Sequence, residues 1–181
     1  MKKVILLFSS LLIFFLSFNF NVSFAKENAS PSADSQDVHY ELPYPGLLPD
    51  SPLYFLRIIR DKAVGFLISA PLKKAEFNLL QADKRLNAGV YLFNKHKIPL
   101  AISTISKAEN YFYDAIQKAQ IAKKEGEDIT QIIGELLNSS KKHQEVLEDL
   151  REKSLKEFKE GFEEQRQRAA DFELEAQRLP E

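Results

Sequence analysis

The chain offers little that could do covalent chemistry. It contains no cysteine, which excludes thiol nucleophiles, disulfides, thiolate-bound zinc and a cysteine-linked lipid anchor. Its three histidines are His39, His96 and His143. A carboxylate-bridged metal site in a helical bundle needs paired Glu-x-x-His motifs. The residues three before these histidines are Gln36, Phe93 and Ser140, so that pattern is missing. There is no Gly-x-Ser-x-Gly elbow and no glycine-rich phosphate loop. Spacing alone selects no catalytic pair among the 26 acids. The sequence therefore assigns no catalytic, cofactor or metal residue and is not read as an enzyme. His143 reads as a satisfied core histidine whose ring titrates near neutrality. Arg57, Arg60, Lys62 and Arg85 could bind an anion or lipid headgroups along a helix that lies on a membrane surface. The favoured alternative is that this helix is the central buried one, with its arginines reaching acids such as Asp61, Glu76 or Asp83.

The elements that would position these side chains are helical. Leu, Ala, Glu and Lys are abundant and there are only six glycines. A net charge of −1 gives no sign of a nucleic-acid partner. At the front, "MKKVILLFSSLLIFFLSFNFNVSFA" has two lysines, an apolar run and a Ser-Phe-Ala site. That is a secretory signal over residues 1–25, cleaved after Ala25 and leading to a secreted or extracytoplasmic protein. If the leader is retained, it is the chain's only membrane contact. Residues 26–42 are polar and read as a flexible linker.

Residues 43–150 read as an all-α antiparallel bundle of about four helices. Ser51 and Pro52 start the first, which Pro71 ends; Leu53, Leu56 and Ile59 are expected in the core. The second follows from Pro71 to about Lys95, with a seam of Leu72, Ala75, Leu79, Ala82, Leu86, Gly89 and Phe93. Lys73, Lys74, Asp83 and Lys84 fall off that seam. Gly89 interrupts it and is expected where another helix approaches closely. The third helix, Pro99 to about Glu125, has an Ala-rich seam that includes Phe112 and ends at Gly126. The second and third form a long hairpin. Asp128 caps the fourth helix, whose apolar face includes His143, Val146, Leu147 and Leu150. Residues 151–181 are a charged helical extension, bent near Gly161 and fraying.

"PGLLPDSPLYFLRIIRDK" resembles the entry of domain of unknown function 5667, a family of exported bacterial helical domains. Pro45, Gly46, Pro49, Ser51, Pro52, Leu53, Tyr54, Leu56 and Arg57 hold the places of its entry motif. Lys74, Ala75, Leu79, Ala82, Arg85 and Leu86 are similar to its second block, and His143, Val146 and Leu147 to a later one. Asn87 stands beside the Arg-Leu pair where the family pattern leads one to expect a Glu or another polar residue, a minor departure. The resemblance implies an exported helical module and brings no activity or catalytic residue. The expected role is a protein-interaction or structural module of the cell envelope, free of cofactors. Its expected partner is another envelope or extracellular protein, with a homodimer as a further option. The alternative is a holdase-type chaperone or stress sensor, although the Leu-Thr-x-x-Gln repeats of one such family are absent.

Overall fold

The computed structural model describes residues 40–179. The leader, its cleavage site, His39 and most of the 26–42 linker lie outside the described residues. Five helices follow one another: α1 (Tyr54–Leu67), α2 (Pro71–Asn94), α3 (Ile98–Lys124), α4 (Thr130–Lys153) and α5 (Lys156–Arg178). The described residues are all-α, as the sequence predicts.

Two antiparallel hairpins build a four-helix bundle. Prolines near the first turns of α2 and α3 suit a position whose amide has no helical partner. At 24 and 27 residues these helices run about 36 and 40 Å at 1.5 Å per residue. Gly89 sits where α2 meets α3: a Cβ there would overlap the buried Ile105 side chain. The expected close approach is the reason for that glycine. Asp128 Oδ1 accepts from Thr130 N at 2.9 Å in a turn that leads into α4, while the cap position itself falls on Ile129 and has no side-chain bond. The second hairpin is α4–α5, which Arg151–Glu163 and Gln144–Glu173 link in antiparallel order. Between hairpins the neighbours run parallel: α2 lies along α4, and α3 along α5, where Phe112 stacks on Phe172 at 5.2 Å.

The C-terminal segment is thus a wall of the bundle. It buries Phe162, Ala169, Phe172 and Ala176. The chain turns at Ser154, whose backbone is extended, and not near Gly161. Gly161 stays helical and lies against Ile102. Burying a phenylalanine is worth roughly 1.5–3 kcal/mol, enough to hold a helix whose other side is heavily charged.

The core divides in two along the bundle axis. One cluster gathers Ala82, Phe112, Ile116, Leu136 and Phe172; the other gathers Leu86, Ile105, Leu147, Leu150 and Phe162.

α1 corrects the sequence reading. It lies outside the bundle against α2, and the side it turns inward carries Arg57, Asp61 and Gly65. Leu53, Leu56 and Ile59, expected in the core, are exposed, as are Phe55, Leu67 and Phe66, the last at 87%. The helix begins at Tyr54, two residues past Pro52; Ser51 instead closes the preceding turn by accepting from Tyr54 N.

Candidate docking face and buried polar layer

Three of the family-like residues meet at the base of α1. Arg57 donates to the carbonyl of Pro45 and, at 2.8 Å, to that of Leu47. Those carbonyls belong to the turn that Gly46 makes at φ 72°, in the left-handed region that glycine tolerates best. Pro45 is fully buried beneath it. Asp61, one helical turn after Arg57, lies 3.5 Å from Arg57 Nε and 3.8 Å from Arg85 Nη2 of α2. Arg85 in turn bonds Gln81 Oε1 at 2.7 Å and stacks over the Tyr111 ring at 4.1 Å. Asp61 is therefore the joint between the entry motif and the second block. Two buried arginines need an anion beside them, because an unpaired buried charge costs several kcal/mol. That requirement turns the polar side of α1 inward. The far end of α1 is pinned by Gly65 against Phe77 and by Lys74, which donates to the Gly65 carbonyl.

The outward side follows from the same register. At about 100° per residue, Phe55, Ile59 and Phe66 lie opposite Arg57 and Asp61, with Leu56, Ala63 and Leu67 beside them. Lys62 stands at one edge of this apolar face and Arg60 at the other. At the Arg60 edge opens a cavity of about 350 Å³, lined by Tyr44, Leu47, Leu56, Arg57, Arg60 and Lys84. Burial first, then the nearby Arg57 and Arg60, lower the pKa of the Lys84 amine.

A second polar group lies between the two apolar clusters. His143, fully buried on α4, has Nδ1 2.9 Å from Glu109 Oε1 of α3 and Nε2 3.1 Å from Asp83 Oδ1 of α2. Asp83 also accepts from Ser139 Oγ at 2.6 Å and from the Tyr40 phenol at 2.5 Å. Burial opposes charge on the ring, but Glu109 and Asp83 outweigh it and raise His143 to about 9. The ring is an imidazolium that donates from both nitrogens to two carboxylates. Burial and the Asp83 charge push the Tyr40 phenol far above its ordinary range, so it remains a donor. Tyr40 and Leu42 belong to the stretch expected as linker; here they are tied to the bundle, and Asn87 holds the Pro43 carbonyl at 2.9 Å.

The layer has the ingredients of a nucleophilic triad but not its order. Ser139 donates to Asp83 and not to His143, so the imidazole does not stand at its hydroxyl as a triad requires. Both imidazole nitrogens face carboxylates, which leaves no lone pair for a metal. Among the described residues no group of His, Asp and Glu is arranged to hold one.

The sequence singled out His143 but missed its partners. Asp83 is expected off the α2 seam, as an acid within reach of Arg57 or Arg85, yet it is 3% exposed and bonded to His143, and Glu109 is fully buried. Their signal is present in the spacing. Leu79, Asp83, Leu86 and Ile105, Glu109, Phe112, Ile116 step by four and three, which puts each acid on an apolar face. Pro49, Ser51, Pro52, Leu53 and Tyr54 shape the approach to α1, while Ala82 and Leu86 pack in the core beside Asp83. No described helix is long and apolar enough to cross a membrane.

The family model described as Domain of unknown function (DUF5667) matches residues 46–157. No curated protein and no solved structure matches the chain.

Proposed function

The chain belongs to the family Domain of unknown function (DUF5667), and from that premise we propose an exported, non-enzymatic binding module that engages its partner through the outward face of α1. The observation that carries this reading is the orientation of α1, polar side in and apolar side out. Contiguous exposed apolar surface of this kind marks an interaction site on a soluble domain. The leader supports an extracytoplasmic setting, where the partner is a component of the envelope or its surroundings. The non-enzymatic part of the reading is supported by the way the polar layer closes on itself between the two apolar clusters.

A photo-crosslinking residue placed at Phe66 in living cells tests the reading. It should trap a discrete envelope component, while the same residue at Leu174 on α5 should trap none. Equal labelling at the two positions would end it. The holdase alternative draws on the same exposed face. It requires suppression of client aggregation at near-stoichiometric amounts, and Phe66→Ser should abolish that suppression.

A further inference from the structure

The charge around α1 has one sign. From Ser51 to Leu72 the single acid is Asp61, and it is buried between Arg57 and Arg85. The exposed charges of the helix are Arg60 and Lys62, at the two edges of the apolar face. The cavity at the Arg60 edge adds Lys84 and Arg57, so three cations line it; Arg57 and Arg60 share the single Asp61 carboxylate, which is not among its lining residues, and the balance around the cavity stays positive. Leu47 and Leu56, both exposed, and Tyr44, exposed at 74%, complete that wall. The whole chain is slightly acidic, so this concentration of positive charge is local.

We propose that α1 lies flat on an anionic lipid surface, with Phe55, Ile59 and Phe66 in the acyl boundary and a headgroup phosphate in the cavity between Arg60 and Lys84. The inference rests on the reading of α1 as the docking face and names what it docks on. An amphipathic helix in this position carries bulky apolar residues on one side and Lys or Arg at headgroup level. Lys62 can extend its charged end to the phosphates while its stem covers apolar surface; Arg60, which holds Asp61 Oδ1 through Nε and Nη2 at 3.1 and 2.7 Å, has its remaining guanidinium nitrogen to offer one. Tyr44 suits the same depth, where its ring is apolar and its hydroxyl wet. A second copy of the chain fits less well, because packing α1 on α1 would bring the Arg60 and Lys62 edges of both copies together without acids to meet them. The sequence reading placed a membrane-surface helix second to a buried one; the exposed face of α1 reverses that order.

The chain has no cysteine, so a single one can carry an environment-sensitive fluorophore. Ile59→Cys and Phe66→Cys report on α1, and Leu174→Cys on α5 controls for tethering by the leader. On vesicles containing phosphatidylglycerol, the labels at 59 and 66 should shift to the blue and the label at 174 should not. Pure phosphatidylcholine should give much weaker binding, and inorganic phosphate alone no shift. Arg60→Gln and Lys84→Gln should each weaken partitioning about fivefold, the usual worth of one cation at an anionic surface. The inference is wrong if positions 59 and 66 stay aqueous on phosphatidylglycerol, or if both lipids bind alike. It is equally wrong if the labels are already buried, in a concentration-dependent way, without lipid; that result would indicate a second copy. Failure on vesicles with a protein crosslinked at Phe66 in cells removes the lipid and keeps the docking face; failure of both removes both.

Discussion

Between the two apolar clusters the bundle holds a histidine and two carboxylates, while on its outside α1 turns phenylalanine, isoleucine and leucine to solvent. Each region breaks the inside-apolar rule in the opposite sense. In both, a charged group decides the outcome. His143 pairs with Glu109 and Asp83 across three helices, which fixes the register of α2, α3 and α4 at one level. Asp61 stands as the counter-charge to Arg57 and Arg85, which fixes which way α1 faces. The layer costs desolvation and returns specificity of packing, a role that buried polar groups are known to serve in some helical assemblies. The orientation of α1 leaves an apolar face exposed among the described residues.

The largest test of that contrast is to remove the centre of the layer. His143→Ala leaves two buried carboxylates without their cation, and breaking a buried pair in this way costs about 3–5 kcal/mol. Urea denaturation should show that loss as a lower midpoint. Replacing Asp83, Glu109 and His143 together by leucine should return much of it, because no charge is then left unpaired. If the single and triple variants lose stability equally, the layer acts through shape and not through charge.

A pH series sharpens the same point without mutation. The folded pKa of His143, about 9, lies above its ordinary value of 6.5. The stabilisation from its proton is therefore complete below about pH 6.5 and is lost as pH rises through about 9. At about 1.4 kcal/mol per unit, the loss amounts to roughly 3 kcal/mol. The groups facing the ring are Asp83 from α2 and Glu109 from α3, with Tyr40 held on Asp83. His143→Leu should flatten the slope of melting temperature between pH 6.5 and 9. A slope unchanged by that substitution would remove His143 as its source.

Arg57→Leu probes the other region. It strips the Pro45 and Leu47 carbonyls of their donor and leaves Asp61 with Arg60 and Arg85 alone. Since Arg60 and Arg85 still neutralise Asp61, the expected cost is smaller, about 1–3 kcal/mol. Proteolysis between Tyr44 and Pro49 should become faster before the bundle melts. A variant with intact protease resistance would mean that the buried Pro45, and not Arg57, anchors the turn.

Much of the bundle was legible because its signals are local: prolines at the starts of α2 and α3, Asp128 before α4, and four–three spacing along each seam. The Ser154 turn was not, since its extended backbone carries no Pro or Gly and the charged sequence runs on either side of it. α1 was read inside out for a different reason. Periodicity shows that Phe55, Ile59 and Phe66 share a face, but it cannot say what covers that face. Buried apolar residues are common, yet exposed ones are not forbidden. Only the pairing of Asp61 with Arg85, 24 residues further on and on another helix, settles the direction, and that is a tertiary fact. Asp83 and Glu109 are charged side chains at apolar-spaced positions, and charge by itself points to solvent.

The smallest stability effect is also the one that separates the two regions most clearly. Phe66 is 87% exposed, so serine there gives up almost no buried area, and a surface change of this kind falls within about 0.5 kcal/mol. Phe162 on α5 is fully buried, and Phe162→Ser should cost several kcal/mol by leaving a cavity and an unsatisfied hydroxyl. The same chemical change at two phenylalanines thus has opposite readouts. One variant should unfold early and the other should melt with the parent, yet only the second, Phe66→Ser, should lose binding while remaining fully folded. If Phe66→Ser instead lowers the melting temperature by as much as Phe162→Ser, α1 packs its apolar side against the protein in solution and is not a free docking face. If it leaves both stability and binding untouched, the face is exposed without being used, and the partner must meet the domain elsewhere.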